Sequence, residues 1–313
     1  MTTTHHVRPG PEHLHGWLDA ALAPILRIGS GDTVVYEDVP DAAWNRWPPG
    51  TRADEPVVQP PEGAEHALVG PVYVEGAQPG DVLAIHTREI VPRAWGFGYH
   101  KPGPVIPNGI LGGEPDDIAE EFVRHVRLDR GRDVWVYSER IAIANRPFMG
   151  IFAVAPAGSG RTRTVFPGPH GGNADCKEFI EGSTVYLPVF HPGALFSTGD
   201  GHGAQGDGEV DGAAIETGMD RLVLEVEVRR DLTIERPRAE TPTDLVFLGF
   251  GENLLDAVRQ AARDVMQFLT ERAGLDWDEA YNVTSIAADF RVTQVADGLL
   301  GAHAVLPKRV LDG

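Results

Sequence analysis

The chain has 313 residues, 42% hydrophobic and 23% charged, enough for a large core, but 27 basic against 46 acidic residues leave a formal charge of −19. That sign excludes a nucleic-acid groove or an anionic membrane surface as a partner, since both are met by basic residues. No apolar run is long enough for a membrane-spanning helix, the Met1–His6 start lacks the basic-then-apolar order of a secretion signal, and Cys176 has no second cysteine to pair with, so a cytoplasmic protein is expected.

Glycine (37) and proline (25) punctuate the whole length. They cut the chain into short segments and predict a mainly β protein with a smaller α+β C-terminal part, its body a sandwich or barrel of many short strands. In chain order, His5, His6, His13 and His15 read as N-terminal surface residues, and the acidic, proline-rich stretch 53–64 as a surface loop. Residues 81–87 alternate as a strand, with Val82, Ala84 and His86 on one face and Leu83 and Ile85 on the other. His86 there is equally a core histidine or a ligand. Trp95, His100 and Lys101 fall in a Gly/Pro-rich loop that can line a pocket. Further strands are expected at 133–138, 151–155, 184–189 and 222–228. Apolar residues at helical spacing then run from 253 to 272, with Gly274 as the stop, and Asp276 with Glu279 reads as a capping box opening a second helix. A strand at 290–295 follows. The implied division is a β-rich body, 1–235, carrying the catalytic loops, and an α+β part, 236–313, packed on it.

The densest polar cluster is Ser197–Glu216, in which Asp200, His202, Gln205, Asp207, Glu209, Asp211 and Glu216 alternate with glycines. A solvated acidic loop is the plain reading of such a run. In extended chain, however, Asp200 and His202 point the same way and can offer an oxygen and an imidazole nitrogen to one divalent ion. An EF-hand is excluded, because the position twelve residues into a loop starting at Asp207 is Gly218, where a glutamate is required. A second cluster, Pro169–Glu178, holds His170, Asn173, Asp175, Lys177 and Glu178. Its Cys176 is read as a buried, inert thiol, since Asp175 and Lys177 would face away from it on a strand.

These stretches, with Gly70–Leu83, Leu187–Val189, Gly193–His202, Gln205–Val210, Ser285–Val295 and Leu306–Lys308, resemble the acetamidase/formamidase family in family order over most of the chain. Departures stand at Ala174, Gly203 and His191-Pro192, and bear on substrate choice. The resemblance implies hydrolysis of formamide or acetamide to the acid and ammonia, a β-rich body with a smaller α/β portion, assembly as a homo-oligomer, and a divalent metal, zinc first and calcium as the alternative. A metal fits the chemistry, because an amide carbonyl is a poor electrophile and water a poor nucleophile at neutral pH. The residues offered are Asp175, Asp200 and His202 as metal ligands. Glu216 is offered as base or fourth ligand, and His170 and Asn173 as partners of the carbonyl oxygen or amide nitrogen. His86, Gln205, Glu209 and Lys177 are additional pocket residues. A small neutral amide is the expected substrate. Two alternatives stand beside it: hydrolysis of a carbamoyl or guanidino compound, and a catalytically silent metal-binding β-domain.

Overall fold

The computed structural model describes residues 2–52, 54, 59–103 and 118–311. Residues 53 and 55–58 of the expected surface loop lie outside this set; residues 59–64 are exposed or half-buried. Two sheets share one apolar core. The larger has nine strands in the order Thr4–Val7, Asp32–Val39, Met219–Arg229, Val82–Pro92, Thr184–Pro188, Arg238–Glu240, Asp244–Gly251, Leu300–Pro307 and Asp289–Gln294. The second runs Gly171–Asn173, Phe148–Ala153, Phe196–His202, Leu68–Val74 and Leu14–His15, with Leu26–Ile28 added in parallel to Leu68–Val74. Leu83, Ile85, Leu222, Leu224 and Val226 from the first sheet meet Val69, Val72, Phe148, Phe152 and Phe196 from the second. The fold is thus the β-rich sandwich that the alternating pattern predicts.

The nine-stranded sheet continues past residue 235. Its strand Asp244–Gly251 sends Val246, Leu248 and Phe250 into the main core, while Leu245 and Phe247 face helix α1 (Leu254–Ala273). Burial on both faces accounts for its nearly unbroken apolar sequence. Helix α1 presents Ala257, Ala261, Val265 and Leu269, spaced at four residues, to the sheet. It opens at Asn253, whose side chain accepts from the Asp256 amide, and closes at Gly274 with φ 68°. The capping box is formed as expected: Asp276 accepts from the Glu279 amide at 2.8 Å and Glu279 from the Asp276 amide at 3.0 Å, opening α2 (Trp277–Ala287). Among the described residues no helix is long and apolar enough to cross a membrane.

A four-stranded sheet, Ala142–Ala144, Val134–Val136, Phe122–Asp129 and Trp95–His100, completes the frame. It corrects the loop expected around Trp95 and His100. Trp95, Phe97 and Tyr99 alternate with Gly96 and Gly98, a period of two that marks a strand. Gly96 is required there, because a Cβ would stand 2.7 Å from the Glu216 carbonyl oxygen. Two of the N-terminal histidines also differ from expectation, while His6 is exposed as expected. His15 is half-buried, pairs through its strand with Leu68 and hydrogen-bonds Ser197 Oγ at 2.9 Å; burial pushes its pKa down to about 4. His5 is held 2.9 Å from Asp32.

The closest sheet–helix approach is at Gly249, where a Cβ would press on the Ala257 carbonyl oxygen and lie 2.9 Å from the Ala261 nitrogen. Gly249→Ala is expected to cost about 1–3 kcal/mol, as overpacking does. Urea denaturation measures it, and an unchanged midpoint would show that α1 does not sit this close.

Candidate metal centre

Six ligand-type side chains converge where the strand Phe196–His202 meets three loops. They are Asp175, Asp200, His202, Glu209, Glu216 and Asp297, each less than a tenth exposed. Asp200 and His202 come from the strand itself, though not as extended chain: Asp200 has φ 59°. Its carboxylate turns toward the imidazole, 3.2 Å from His202 Nε2. Across the sheet stands Gly150, where any Cβ would collide with Asp175 Oδ1 and Asp200 Oδ2. This glycine makes room for both carboxylates.

Glu216 arrives through short bridges to two strands. Its backbone exchanges hydrogen bonds of 2.9 and 2.8 Å with Phe97, and the next residue, Thr217, donates to the Gly201 carbonyl at 2.8 Å. Glu216 Oε1 then lies 3.5 Å from His202 Nε2. Asp175, with φ 47°, donates its amide to the Gly150 carbonyl and sits 4.0 Å from His202 Nε2. Glu209, with φ 42°, and Asp297 are brought together by pairing of Gly208 with Gln294. Gln294, fully buried, shapes the second loop by accepting from the amides of Ala296 and Asp297 at 2.9 and 3.0 Å. Three of the six ligand residues thus hold left-handed backbone, a strained conformation that concentrates at functional sites.

Gln205 sets the histidine. Its Nε2 donates to the Asp175 carbonyl at 2.8 Å, and a carbonyl can only accept. Its Oε1 therefore faces His202 Nδ1 at 2.9 Å and accepts the proton there. That directs Nε2 into the carboxylates, as the outer partners of metal-binding histidines do.

Five carboxylates surround one imidazole, and among the described residues no lysine or arginine pairs with any of them. Buried oxygens of Asp175, Glu209, Glu216 and Asp297 have no hydrogen-bond partner. Burial, reinforced by neighbouring acids, raises Asp175 and Glu209 well above the usual carboxylate range, Glu216 to about 8 and Asp297 to about 7. Burial also works against charge on Asp200 and His202, but their mutual attraction prevails: Asp200 is lowered and His202 raised to about 10. Such a cluster requires protons or cations. Carboxylate oxygens and one imidazole nitrogen are the donors of a divalent ion, and Gly150 leaves the space between them clear.

The cluster lines a cavity of about 300 Å³, whose other walls include Trp44, Arg46, Trp47, His66, Phe97, Tyr99 and Asn173. Asn173 Oδ1 is buried without a hydrogen-bond partner. The remaining expected residues lie around this centre. His170 is buried behind Gly172 and Gly168, outside the cavity wall, and burial pushes its pKa down to about 4. Lys177 pairs with Asp207 at 2.9 Å and faces a neighbouring cavity of about 620 Å³, shared with Gln205 and Glu209. His86 stands apart in the large sheet, 2.8 Å from Thr184 Oγ1. Cys176 is buried in the main core, and burial raises its thiol pKa.

A sequence model of the acetamidase/formamidase family matches residues 12–161 and 153–312. The chain belongs to that family. It is 30% identical over 208 residues to an acetamidase of Mycolicibacterium smegmatis, covering 49% of this chain and 51% of that protein. A formamidase of Methylophilus methylotrophus is 28% identical over 203 residues, covering 46% and 47%. The chain thus spans about half the length of the curated relatives it matches. The crystal structure of an acetamidase from Yersinia enterocolitica superposes with a TM-score of 0.89 at 28% identity, over 99% of this chain and 93% of that one.

Sequence reasoning passed over Asp297, His66 and the aromatic wall. The alternation Trp95-Gly-Phe-Gly-Tyr was a usable signal for the wall, and the tryptophans of Ala42–Trp47 a weaker one. Nothing local marks Asp297, whose place follows from the pairing of Gly208 with Gln294.

The titrations set a pH dependence for metal-free protein. Glu216 and Asp297 bind protons more tightly folded than unfolded, so their ionisation destabilises the fold as pH rises from about 4, the ordinary carboxylate range, toward 7–8. His202, raised to about 10, adds loss in the same direction above its unfolded value. The melting temperature of chelated protein should therefore fall between pH 5 and pH 8, and added zinc should raise it most at pH 8. A melting temperature that rises with pH after thorough chelation would contradict this.

Proposed function

We propose that the chain is a metal-dependent hydrolase of short amides, releasing ammonia and a carboxylic acid. The observation that carries the reading is the His202 Nε2 atom, directed by Gln205 into buried carboxylates that have no basic partner, beside a cavity open to a small substrate. Asp175, Asp200 and His202 would hold the ion, and zinc suits the imidazole among them. When bound, such an ion lowers the pKa of its water to about 7 and polarises a carbonyl oxygen. The all-oxygen group Asp175, Glu209 and Asp297 is the one suited to a hard ion such as calcium.

The protein's own groups supply the remaining chemistry. Glu216, whose Oε1 stands 3.5 Å from His202 Nε2 on the cavity wall, takes a proton from attacking water and returns it to the departing nitrogen. Asn173 Oδ1, buried on the cavity wall without a partner, accepts from the amide N–H. Gln205 holds His202 in place, and His170 braces the glycine turn beneath Asn173.

Ammonia release from formamide and acetamide, before and after chelation and with zinc restored, tests the reading. Activity should vanish with chelator and return with zinc. His202→Ala should remove bound metal and lower kcat/KM at least about 1,000-fold, the scale of losing a group on which the chemistry depends. Steady turnover by fully metal-free protein would sink the mechanism. Asn173→Leu removes that acceptor at similar volume and should cost turnover while the ion stays bound, read by metal analysis alongside the rate.

A further inference from the structure

The cavity wall also holds a cation, Arg46, that pairs with no carboxylate among the described residues. Arg46 lies over the indole of Trp47, its guanidinium carbon 4.8 Å from the ring centroid. Trp47 is itself held by Tyr99 at 4.4 Å and by the edge of Phe97 at 5.3 Å, and is 5% exposed. The stack therefore has a fixed place. Arg46 Nε is buried with no hydrogen-bond partner, and among the described residues no carboxylate comes within ion-pair distance of the side chain. The neighbouring acid on this wall, Glu65, is committed to Arg163.

A guanidinium stacked on a ring uses its face and leaves its N–H edge, the part that matches a carboxylate with two parallel hydrogen bonds. The cavity also exceeds the needs of formamide or acetamide: about 300 Å³ lies at the lower bound of pockets that take ligands of many atoms. Its lining is of two characters, metal-ligating carboxylates and Arg46 on an aromatic platform. We propose that the preferred substrate is the monoamide of a short dicarboxylic acid, its amide at the metal centre and its free carboxylate on Arg46. The proposal rests on the amidase reading and names the substrate class for that site. A chain of net charge −19 repels anions in general, and Arg46 supplies a local positive charge where the substrate's anion would lie.

The test compares zinc-loaded enzyme on succinamate and on butyramide, its neutral counterpart of equal carbon count, with acetamide and formamide alongside. Wild type should favour succinamate over butyramide in kcat/KM by at least about tenfold, the scale of a hydrogen bond to a charged group. In Arg46→Met that ratio should fall to near one, mainly through a higher KM for succinamate. Arg46→Lys should keep part of the preference, because charge remains and the two-pronged geometry is lost. As a check independent of variants, succinate should inhibit wild-type acetamide turnover more strongly than butyrate. Equal or lower wild-type efficiency on succinamate, with the neutral amides turned over, overturns this inference and leaves the amidase reading intact. So does a ratio that survives Arg46→Met. Ammonia from none of the four amides overturns both.

Discussion

Five buried carboxylates around one imidazole are a concentration of negative charge that a fold tolerates only with compensation. Much of the surrounding structure serves to assemble them. Gly150 is bare so that two of them fit, the backbone is left-handed at Asp175, Asp200 and Glu209, and Gln205 and Gln294 hold the loops with side-chain amides. Without a cation the cluster is a liability, and with one it becomes a rigid centre. The stability of the arrangement therefore depends on what offsets that charge, a proton or a cation.

The sandwich supplies the rigidity. The strand Phe196–His202 is buried along its whole length and pairs with strands on either side, so Asp200 and His202 sit on a fixed base. The four-stranded sheet brings Phe97 and Tyr99 over the centre and locks Glu216 through backbone bonds. Trp135 of that sheet bears on Gly203: a Cβ there would meet the indole ring, which donates to the Gly203 carbonyl at 3.1 Å.

The residues of Ser197–Glu216 show how far a sequence can be read. Asp200, His202, Glu209 and Glu216 were visible as ligand types separated by glycine, and the structure buries all four. The same run contains Asp207 and Asp211, which are exposed. Composition could not separate the two groups, because the plain reading of the whole run as a solvated loop holds for its outer acids and fails for its inner ones. The direction of each side chain depends on turns set by contacts far along the chain. His86 shows the converse: alternation placed it on a strand, but the sheet carries it to Thr184 and away from the centre.

By itself the sequence determined what local physics controls: a β-rich body punctuated by glycine and proline, the amphipathic helix with its Asn253 start and Gly274 stop, the Asp276 capping box, and a metal-type donor set within one glycine-rich segment. Each of these depends on residues a few positions apart. The tertiary structure alone decided that Asp297 joins Asp175, that Phe97 and Tyr99 line the cavity, and that Arg46 reaches it with no carboxylate partner among the described residues. Those depend on pairings between distant segments, such as Gly208 with Gln294 and Phe97 with Glu216, whose geometry no local pattern encodes.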